Sequence, residues 1–255
     1  MKKTIQSWMN FLLIAGFVMI LTTSCKKSES TTDPTQTTNS TVKDIDGNSY
    51  TTVTIGSQVW MVENLKTTKY RNGDLIPNVT DGIQWGNLTT GGYCNYNDDS
   101  AIGNKHGKLY NWYAMNDSRN IAPIGWHVPS DADWSKLTIY IGANLGTSGT
   151  FEKALASKTD WVNSTKSGAV GNDLSKNNTS GFTALPGGFR YEGGNSSENG
   201  YRDVGNYGYW WLTGVSDEGG GLHGIYNVFV SYNDSDSDYR AYSKESGLSI
   251  RCIKD

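Results

Sequence analysis

Alternating apolar and polar residues predict short strands where the folded part of the chain begins. Asp46-Gly47 separates residues 42–45 from the alternating run 50–55, and Gly56-Ser57 then leads into residues 58–62. An alternation with a period of two places side chains on opposite faces of a strand, and Gly-containing pairs between such runs are typical of hairpin turns. We therefore predict that the domain opens with antiparallel strands.

Three later segments have apolar residues three and four positions apart, which is the spacing of one helix face. The first lies within residues 106–115 and the third within residues 151–155. The second starts at Ser130, where Asp133 completes an analogue of the capping box. The apolar positions are Leu109, Trp112 and Tyr113 in the first segment, Trp134, Leu137 and Ile141 in the second, and Phe151, Ala154 and Leu155 in the third.

Beyond Gly168 the pattern changes to strand-like runs separated by Gly and Asn. These runs cover residues 209–212, 225–232 and 248–253. Helices in one part of a chain and strands in another are typical of the α+β class. We therefore predict an α+β fold in a single domain, residues 42–255, with short antiparallel strands, two or three short helices and long Gly/Asn-rich loops.

The N-terminus has the pattern of an export signal. Lys2 and Lys3 precede an apolar run over residues 11–21, which ends in small residues before Cys25. This is the pattern of a secretory signal peptide, and the run is too short to cross a bilayer as a helix. The small residues before the cysteine resemble the bacterial lipoprotein processing site, which implies removal of residues 1–24 and lipidation of Cys25. An ordinary signal peptide cut nearby is the alternative.

Residues 26–41 have the composition of a tether. Nine of these sixteen residues are Ser or Thr, and none is a large apolar residue. Such a segment buries too little apolar surface to offset the entropy of ordering it, and it would hold the domain on the order of 20 Å from the bilayer. We predict a disordered tether over residues 25–41, and a protein anchored by lipid to the outer membrane, on its periplasmic or its surface face.

The charge balance excludes one class of partner. The chain has 22 basic and 25 acidic residues, and loss of the leader would remove Lys2 and Lys3 and no acid. Without net positive charge or a Lys/Arg-rich stripe, the counterion release that drives nucleic-acid binding is missing. We therefore expect no nucleic-acid partner.

Cys94 and Cys252 remain if Cys25 carries the lipid. Exported chains meet an oxidising compartment, which favours a disulfide between these two cysteines. Two buried free thiols are the alternative. Because neither CxxC nor HExxH occurs, we expect no zinc site.

No set of residues forms a recognisable catalytic motif. His106, His127 and His223 lack a nucleophile motif such as GxSxG, and His127 is expected to be structural, beside the start of a helix. Residues 219–224 match GxGxxG, but an acidic turn precedes them and a strand-like run follows, which is the reverse of a dinucleotide site. We predict no catalytic residues and no cofactor.

An acidic run near the C-terminus offers a weak calcium alternative. Asp234, Asp236 and Asp238 stand at positions 1, 3 and 5 of a calcium loop, with Glu245 at position 12. Position 6 is Tyr239, where an EF-hand loop needs Gly for its turn. We interpret the run as a solvated hairpin tip and predict no bound metal.

Aromatic residues crowd one short segment of the second half. Tyr207, Tyr209, Trp210 and Trp211 fall within five positions, and neighbours on a strand point to opposite sides. One of the two tryptophans is therefore expected to face outward or into a groove. Flat rings with a polar edge suit the faces of sugars, and they also fill cores. These four residues are the candidate ligand platform, with core packing as the alternative.

Six blocks of sequence follow one another through the domain. They include GKLYNWYAMND at 107–117, IAPIGWHVPSDADWSKL at 121–137 and GYWWLTG at 208–214, and the others span residues 55–77, 180–194 and 247–255. In this order they resemble the Fibrobacter succinogenes major paralogous domain, which occurs on exported proteins and lipoproteins of the Bacteroidetes and Fibrobacteres. The resemblance implies a fold more than an activity.

Two of these blocks carry a more distant similarity. GWHVPS at 125–130 and the terminal block 247–252 are similar to segments of formylglycine-generating, sulfatase-modifying proteins, and this implies a C-type-lectin-like fold whose termini share one sheet. The sulfatase-modifying activity is not expected, because it needs a reactive cysteine pair and the mature chain keeps only Cys94 and Cys252. The calcium-dependent sugar motifs of C-type lectins, EPN or QPD with WND, do not occur in the sequence.

We expect a lipid-anchored, non-enzymatic binding or adhesion module of the cell envelope, which takes a glycan or a surface protein without calcium. One alternative is an envelope enzyme acting on a polysaccharide, which would need a carboxylate pair such as Glu192 with Glu198 or Asp203. The other is a structural component of a surface assembly.

Overall fold

The computed structural model describes residues 40–145, 151–192, 200–216, 224–233 and 239–255. These residues belong to one compact unit, which has an α+β fold rich in sheet. The predicted signal peptide, Cys25 and nearly all of the predicted tether lie outside the described residues. In the described part of the chain, no helix combines the length and the apolar character that crossing a bilayer requires.

The described residues contain twelve strands and five α-helices. The strands are β1 (Thr41–Lys43), β2 (Ser49–Ile55), β3 (Gln58–Met61), β4 (Tyr93–Cys94), β5 (Leu109–Tyr110), β6 (Trp126–His127), β7 (Gly187–Arg190), β8 (Tyr201–Val204), β9 (Tyr207–Ser216), β10 (Gly224–Ser231), β11 (Tyr239–Tyr242) and β12 (Ile253–Lys254). The helices are α1 (Gly82–Gly86), α2 (Ser100–His106), α3 (Trp112–Met115), α4 (Asp131–Asn144) and α5 (Phe151–Leu155).

The first sheet joins the two ends of the folded unit. Its strand order is β1-β2-β3-β12-β6, and each neighbouring pair is antiparallel. Ile55 pairs with Gln58 around the two-residue turn Gly56-Ser57, where Gly56 has a φ of 62°. Glycine accepts a positive φ without a steric penalty, which is why such pairs close tight hairpins. The predicted opening strands are confirmed.

The second sheet is built from the later part of the chain. Its order is β11-β10-β9-β7-β8, with β9 and β10 antiparallel and a bulge between Ile225 and Asn227. The predicted strands at residues 209–212 and 225–232 lie largely within β9 and β10. The prediction for residues 248–253 is only partly right: Leu248 and Ser249 make single bridges, and a ladder forms at Ile253.

Helix α4 begins as the sequence predicts. The Ser130 hydroxyl accepts a hydrogen bond from the amide of Asp133 at 3.2 Å, and the Asp133 carboxylate accepts one from the amide of Ser130 at 2.9 Å. This reciprocal pair satisfies two amides that the first helical turn leaves without partners. The face that carries Trp134, Leu137 and Ile141 is buried. The short helix α5 is confirmed as well.

The helix predicted over residues 106–115 is wrong. Leu109 and Tyr110 form β5, which pairs with β4, and only His106, which ends α2, and Trp112–Met115 are helical. The side chain of Asn111 stops any continuous helix here, because it accepts from the amides of Ala114 and Gly92 and so caps α3. Helices α1 and α2 were not predicted, so the described chain has more helices than the two or three expected.

Two hydrophobic cores lie on the two sides of β9. The first core surrounds Trp211, and the second core surrounds Trp210. The first core includes Tyr50, Met61, Tyr110, Tyr209, Leu248 and Ile250, and the second includes Trp60, Trp134, Leu137, Ile141, Phe182 and Ile253. Since β9 has β10 on one side and β7 on the other, it is a central strand with packed layers on both faces. Alternating side chains therefore enter two different cores.

Candidate functional site

The predicted aromatic platform is part of the cores. Trp210 and Trp211 are both buried, so the prediction that one of them faces outward is wrong. The Trp211 indole donates to the carbonyl of Tyr110 at 2.7 Å, and the Trp210 indole donates to the Asn64 side chain at 2.8 Å. Tyr209 is buried too, and Tyr207 is half-buried and stacked on it. Tyr209, Trp210 and Trp211 therefore offer no open surface for a ligand.

The predicted disulfide is not formed. Cys94 and Cys252 are both free and fully buried. Cys252 belongs to the first core, whereas Cys94 packs with Trp85 and Tyr201 in a separate small cluster, so the two thiols point into different parts of the interior. Burial raises the pKa of the Cys94 thiol to about 11, and the Arg190 guanidinium opposes this shift. Burial raises the pKa of the Cys252 thiol as well.

We expect both thiols to be unreactive in the folded protein. A thiol with a raised pKa forms little thiolate, and neither sulfur is accessible to a reagent. In guanidinium without reductant, two thiols per chain that were silent in the folded protein should react with a chromogenic disulfide. If Cys94 and Cys252 formed a disulfide, neither sulfur would react with the reagent under these conditions.

The other candidate residues form no site that the structure describes. Glu198, His223, the aspartates of the acidic run and most of the GxGxxG segment lie outside the described residues. Of the calcium alternative, Glu245 is described, and its carboxylate accepts the hydroxyl of Tyr113 at 3.0 Å. Asp203 accepts the hydroxyl of Tyr209 at 3.0 Å. Within the described part of the chain, no three His, Cys, Asp or Glu side chains cluster as a metal site would require.

His127 lies beside the start of α4, as its place in the sequence predicts. Its Nε2 is 3.5 Å from the Asp133 carboxylate, and its Nδ1 is 2.7 Å from the Asp255 carboxylate. Both ring nitrogens therefore face carboxylates, and Asp133 is already held by the capping box. The arrangement links β6, α4 and the C-terminal residue, and it is structural.

A cavity opens where the first sheet meets the loop over residues 178–183. Its volume is about 530 Å³. We call it the β2 groove, because four of its lining residues belong to β2. The lining residues are Thr51, Val53, Thr54, Ile55, Val62, Tyr140, Leu145, Asn178, Thr179, Ser180, Gly181 and Thr183.

The β2 groove is polar without being charged. Its described lining contains hydroxyl, amide and apolar side chains, and it contains no carboxylate, ammonium, guanidinium or imidazole group. Glu63 lies next to one wall, where its carboxylate accepts from the amide and the hydroxyl of Thr51 at 2.7 and 3.1 Å. The Glu63 carboxylate is therefore already hydrogen-bonded to a residue of the groove wall.

Tyr140 supplies a flat ring at the edge of the groove. It lies near the end of α4 and is 37% exposed. The ring rests against Gly56 in the β2–β3 turn, where a Cβ atom would come within 2.8 Å of Tyr140 Cδ2. Any residue other than glycine would push the ring away. The hairpin turn thus fixes the position of the partly exposed Tyr140 ring.

The loop over residues 178–183 is held in an unusual backbone conformation. Asn178, Gly181 and Thr183 have φ values of 64°, 79° and 58°. A positive φ is rare for a β-branched residue such as Thr183, and such strain persists only where the surroundings enforce it. Here the Asn178 side chain accepts from the Thr183 amide and donates to the Thr183 hydroxyl, both at 2.8 Å.

Arg251 fixes the same loop from beneath. Its buried guanidinium donates to the carbonyls of Phe182 and Thr183 and, through Nη2 at 2.7 Å, to the Asn64 side chain. It also stacks over the Phe182 ring, with 4.4 Å between the guanidinium carbon and the ring centroid. Burial lowers the pKa of Arg251, and the Glu63 carboxylate opposes this shift. One buried cation therefore ties the groove loop to the C-terminal segment.

The model of the Fibrobacter succinogenes major domain matches residues 53–254. The chain belongs to this family. The matched region contains Arg251 and nearly all of the groove lining, from Val53 to Thr183. No curated protein and no solved structure matches the chain.

Sequence reasoning missed Tyr140 and the groove loop. Leu137 and Ile141 mark the buried face of α4, and Tyr140 lies on the face that this pattern leaves exposed. The loop belongs to a polar run, residues 177–181, whose only signal was its high content of Asn, Ser, Thr and Gly. A groove formed by segments about 120 positions apart in the family domain leaves no local sequence pattern.

His106 is expected to make the stability of the fold depend on pH. Its Nδ1 is buried and finds no hydrogen-bond partner among the described residues. Burial lowers the pKa of His106 below its usual value, and the Asp160 carboxylate opposes this shift. The folded protein therefore favours neutral His106, whereas the unfolded chain takes up a proton near pH 6.5.

We expect the free energy of unfolding to fall as the pH drops below about 7. The loss begins near pH 6.5, the pKa of histidine in the unfolded chain, and continues toward the lower pKa of His106 in the folded protein. Urea unfolding at pH 7.5 and pH 5.5 measures this loss. His106→Gln has no proton to gain, so its loss over the same range should be smaller. Equal losses in both proteins would show that His106 has no part in the pH dependence.

Proposed function

We propose that this protein is a lipid-anchored binding module of the bacterial cell envelope, and that its β2 groove takes an uncharged glycan without calcium. The observation that carries the proposal is the chemistry of the groove. Hydroxyl and amide side chains line an open cavity beside an exposed tyrosine ring, and the described lining carries no charged side chain.

Sugars match this combination of groups. The hydroxyls of a sugar can exchange hydrogen bonds with Thr, Ser and Asn side chains, which both donate and accept. The apolar face of a pyranose ring can lie against an aromatic ring whose edge remains wet. Tyr140 offers that ring, and the exposed residues Thr54 and Thr179 offer hydroxyls. An anionic sugar would find no cationic side chain in the described lining, so we favour a neutral glycan.

A rigid site supports binding more than catalysis. Hydrolysis of a glycosidic bond by the usual mechanism needs two carboxyl groups about 5–9 Å apart, and the described lining of the groove has none. The positive-φ residues and Arg251 hold the loop in place before any ligand arrives. A site formed in advance loses less entropy when the ligand binds.

The anchor and the fold type belong to the same proposal. Cys25 would carry the lipid and residues 26–41 would connect it to the domain, on the periplasmic or the surface face of the outer membrane. We also propose that the fold is related to C-type lectins. Its support is the first sheet, in which β12 lies between β3 and β6 and so brings the opening and closing strands together.

We predict that Tyr140→Ala weakens binding of a neutral glycan about tenfold or more, because the loss of a stacking face removes on the order of 1.4 kcal/mol or more. The measurement is isothermal titration with neutral glucan, mannan and chitin oligosaccharides, and with uronate and sialylated oligosaccharides for comparison. EDTA should leave the affinity unchanged.

Tyr191→Ala is the matched control. Tyr191 is 48% exposed and does not line the groove, so its removal should leave the affinity unchanged. If no neutral glycan binds, or if Tyr140→Ala and Tyr191→Ala bind like the parent protein, the groove is not a glycan site. Specific binding of a surface protein instead would favour the assembly alternative.

A further inference from the structure

A second surface shows exposed isoleucines held in rigid positions. Ile45 is 52% exposed and Ile124 is 82% exposed, and both line a cleft of about 200 Å³ together with Ile121 and Arg71. We call it the isoleucine cleft. A single exposed apolar residue is ordinary, but two on the rim of one apolar cleft indicate a contact surface.

Hydrogen bonds fix the turn that carries Ile124. Arg71 donates to the carbonyls of Ala122, Pro123 and Trp126, each at 2.9 Å. The amide of Asp255 donates to the carbonyl of Gly125 at 3.0 Å. The Ile124 side chain therefore cannot turn inward without the loss of several hydrogen bonds.

The turn that carries Ile45 is fixed in the same way. The Asp44 carboxylate accepts from the amides of Asp46 and Asn48 at 3.0 and 2.9 Å, and it also accepts the hydroxyl of Tyr50. Asp44 is buried, so its charge is directed into the turn and away from the cleft rim. The exposed charge on this rim is the cation Lys43.

The place where the chain enters the domain indicates what this surface faces. The described chain starts at Ser40, and Lys43 of β1 is already on the cleft rim. The lipid-bearing Cys25 of the proposed anchor would be fifteen residues before Ser40, and a linker of that length spans roughly 20 Å. The side of the domain nearest to the anchor is therefore the side that displays Ile45 and Ile124.

We propose that the isoleucine cleft docks on the bilayer surface, with Ile45 and Ile124 in the interface and Lys43 among the lipid phosphates. This inference rests on the proposed lipid anchor. Interfacial binding needs exposed apolar side chains beside cations, and a rigid display lowers the entropy lost on contact. Docking would hold the domain in one orientation on the membrane.

The test measures the depth of single positions in the membrane. Full-length protein carrying Ile45→Cys, Ile124→Cys or Ile139→Cys is labelled with a small environment-sensitive fluorophore and reconstituted in phosphatidylethanolamine/phosphatidylglycerol vesicles. Cys94 and Cys252 are buried, which directs the label to the new thiol. Ile139 is 70% exposed on α4 and does not line the cleft, so it is the matched control.

Docking predicts that nitroxide lipids quench positions 45 and 124 roughly twofold or more above position 139, with a blue shift at these two positions only. Equal quenching at all three positions in vesicles that float with the protein would overturn docking and leave the anchor intact. A protein that does not float with vesicles would overturn both the anchor and docking. A blue shift at position 124 without vesicles, growing with protein concentration, would assign the cleft to a second copy of the chain.

Discussion

Replacing Arg251 by methionine is expected to lower the free energy of unfolding by about 3–5 kcal/mol. The guanidinium is buried, and its partners are the carbonyls of Phe182 and Thr183 and the side chain of Asn64. Methionine has a similar length and no donor, so the carbonyls of Phe182 and Thr183 would lose their hydrogen bonds to the guanidinium, while the ring of Phe182 keeps an apolar neighbour. The Asn64 oxygen would keep only the hydrogen bond from the Trp210 indole. The loss of stability comes more from buried acceptors left without a hydrogen-bond donor than from lost packing.

Urea denaturation followed by circular dichroism measures this loss. Arg251→Lys keeps a charge but cannot reproduce the planar fork, so it should also be strongly destabilised. Arg119→Ala removes an exposed arginine that pairs with Asp74 and Asp117, and it should have a much smaller effect. If Arg251→Met were as stable as the parent protein, the proposed role of Arg251 under the groove loop would be wrong.

Trp210→Ala and Trp211→Ala are each expected to destabilise the fold by about 3–5 kcal/mol, because each opens a large cavity in a different core. Trp210 packs near Phe182, with 6.4 Å between ring centroids, and Trp211 packs in the first core. Each indole also donates a hydrogen bond to a buried acceptor, Asn64 or Tyr110. Phenylalanine at either position keeps most of the ring and should cost about half as much.

The same variants separate a core role from a ligand role. We expect large losses of stability, and we expect unchanged glycan affinity for Trp211→Phe at temperatures where the protein is folded. Trp211 serves for this comparison because its core is on the side of β9 away from Trp210 and Phe182. A fully stable Trp211→Ala that has lost binding would restore the aromatic segment as the ligand platform.

The parts of the fold that the sequence predicts are those set by neighbouring residues. Gly56-Ser57 closes the β2–β3 hairpin, and Ser130 with Asp133 starts α4, because turn and cap chemistry act over two to four positions. The prediction over residues 106–115 was wrong because Asn111 competes for the same amides that a longer helix would need. The spacing of apolar residues alone does not show whether the longer helix or the Asn111 cap forms.

The site depended on long-range contacts that no local pattern encodes. Alternation along β9 correctly placed Trp210 and Trp211 on opposite sides, but it could not show that both sides are covered. The predicted export favours a disulfide, but the distribution of Cys94 and Cys252 between separate clusters is a property of the fold. Arg251 stood within the terminal sequence block, and its contacts with residues 64, 182 and 183 gave no sign in the sequence.

Hydrogen–deuterium exchange with and without a bound neutral oligosaccharide shows whether the glycan binds in the β2 groove, because it locates the ligand without any substitution. We expect slower exchange in peptides covering residues 174–183 and 51–62, with little change over residues 201–212. Protection confined to residues 201–212, or to any region away from β2 and the groove loop, would contradict the assignment of the β2 groove as the glycan site.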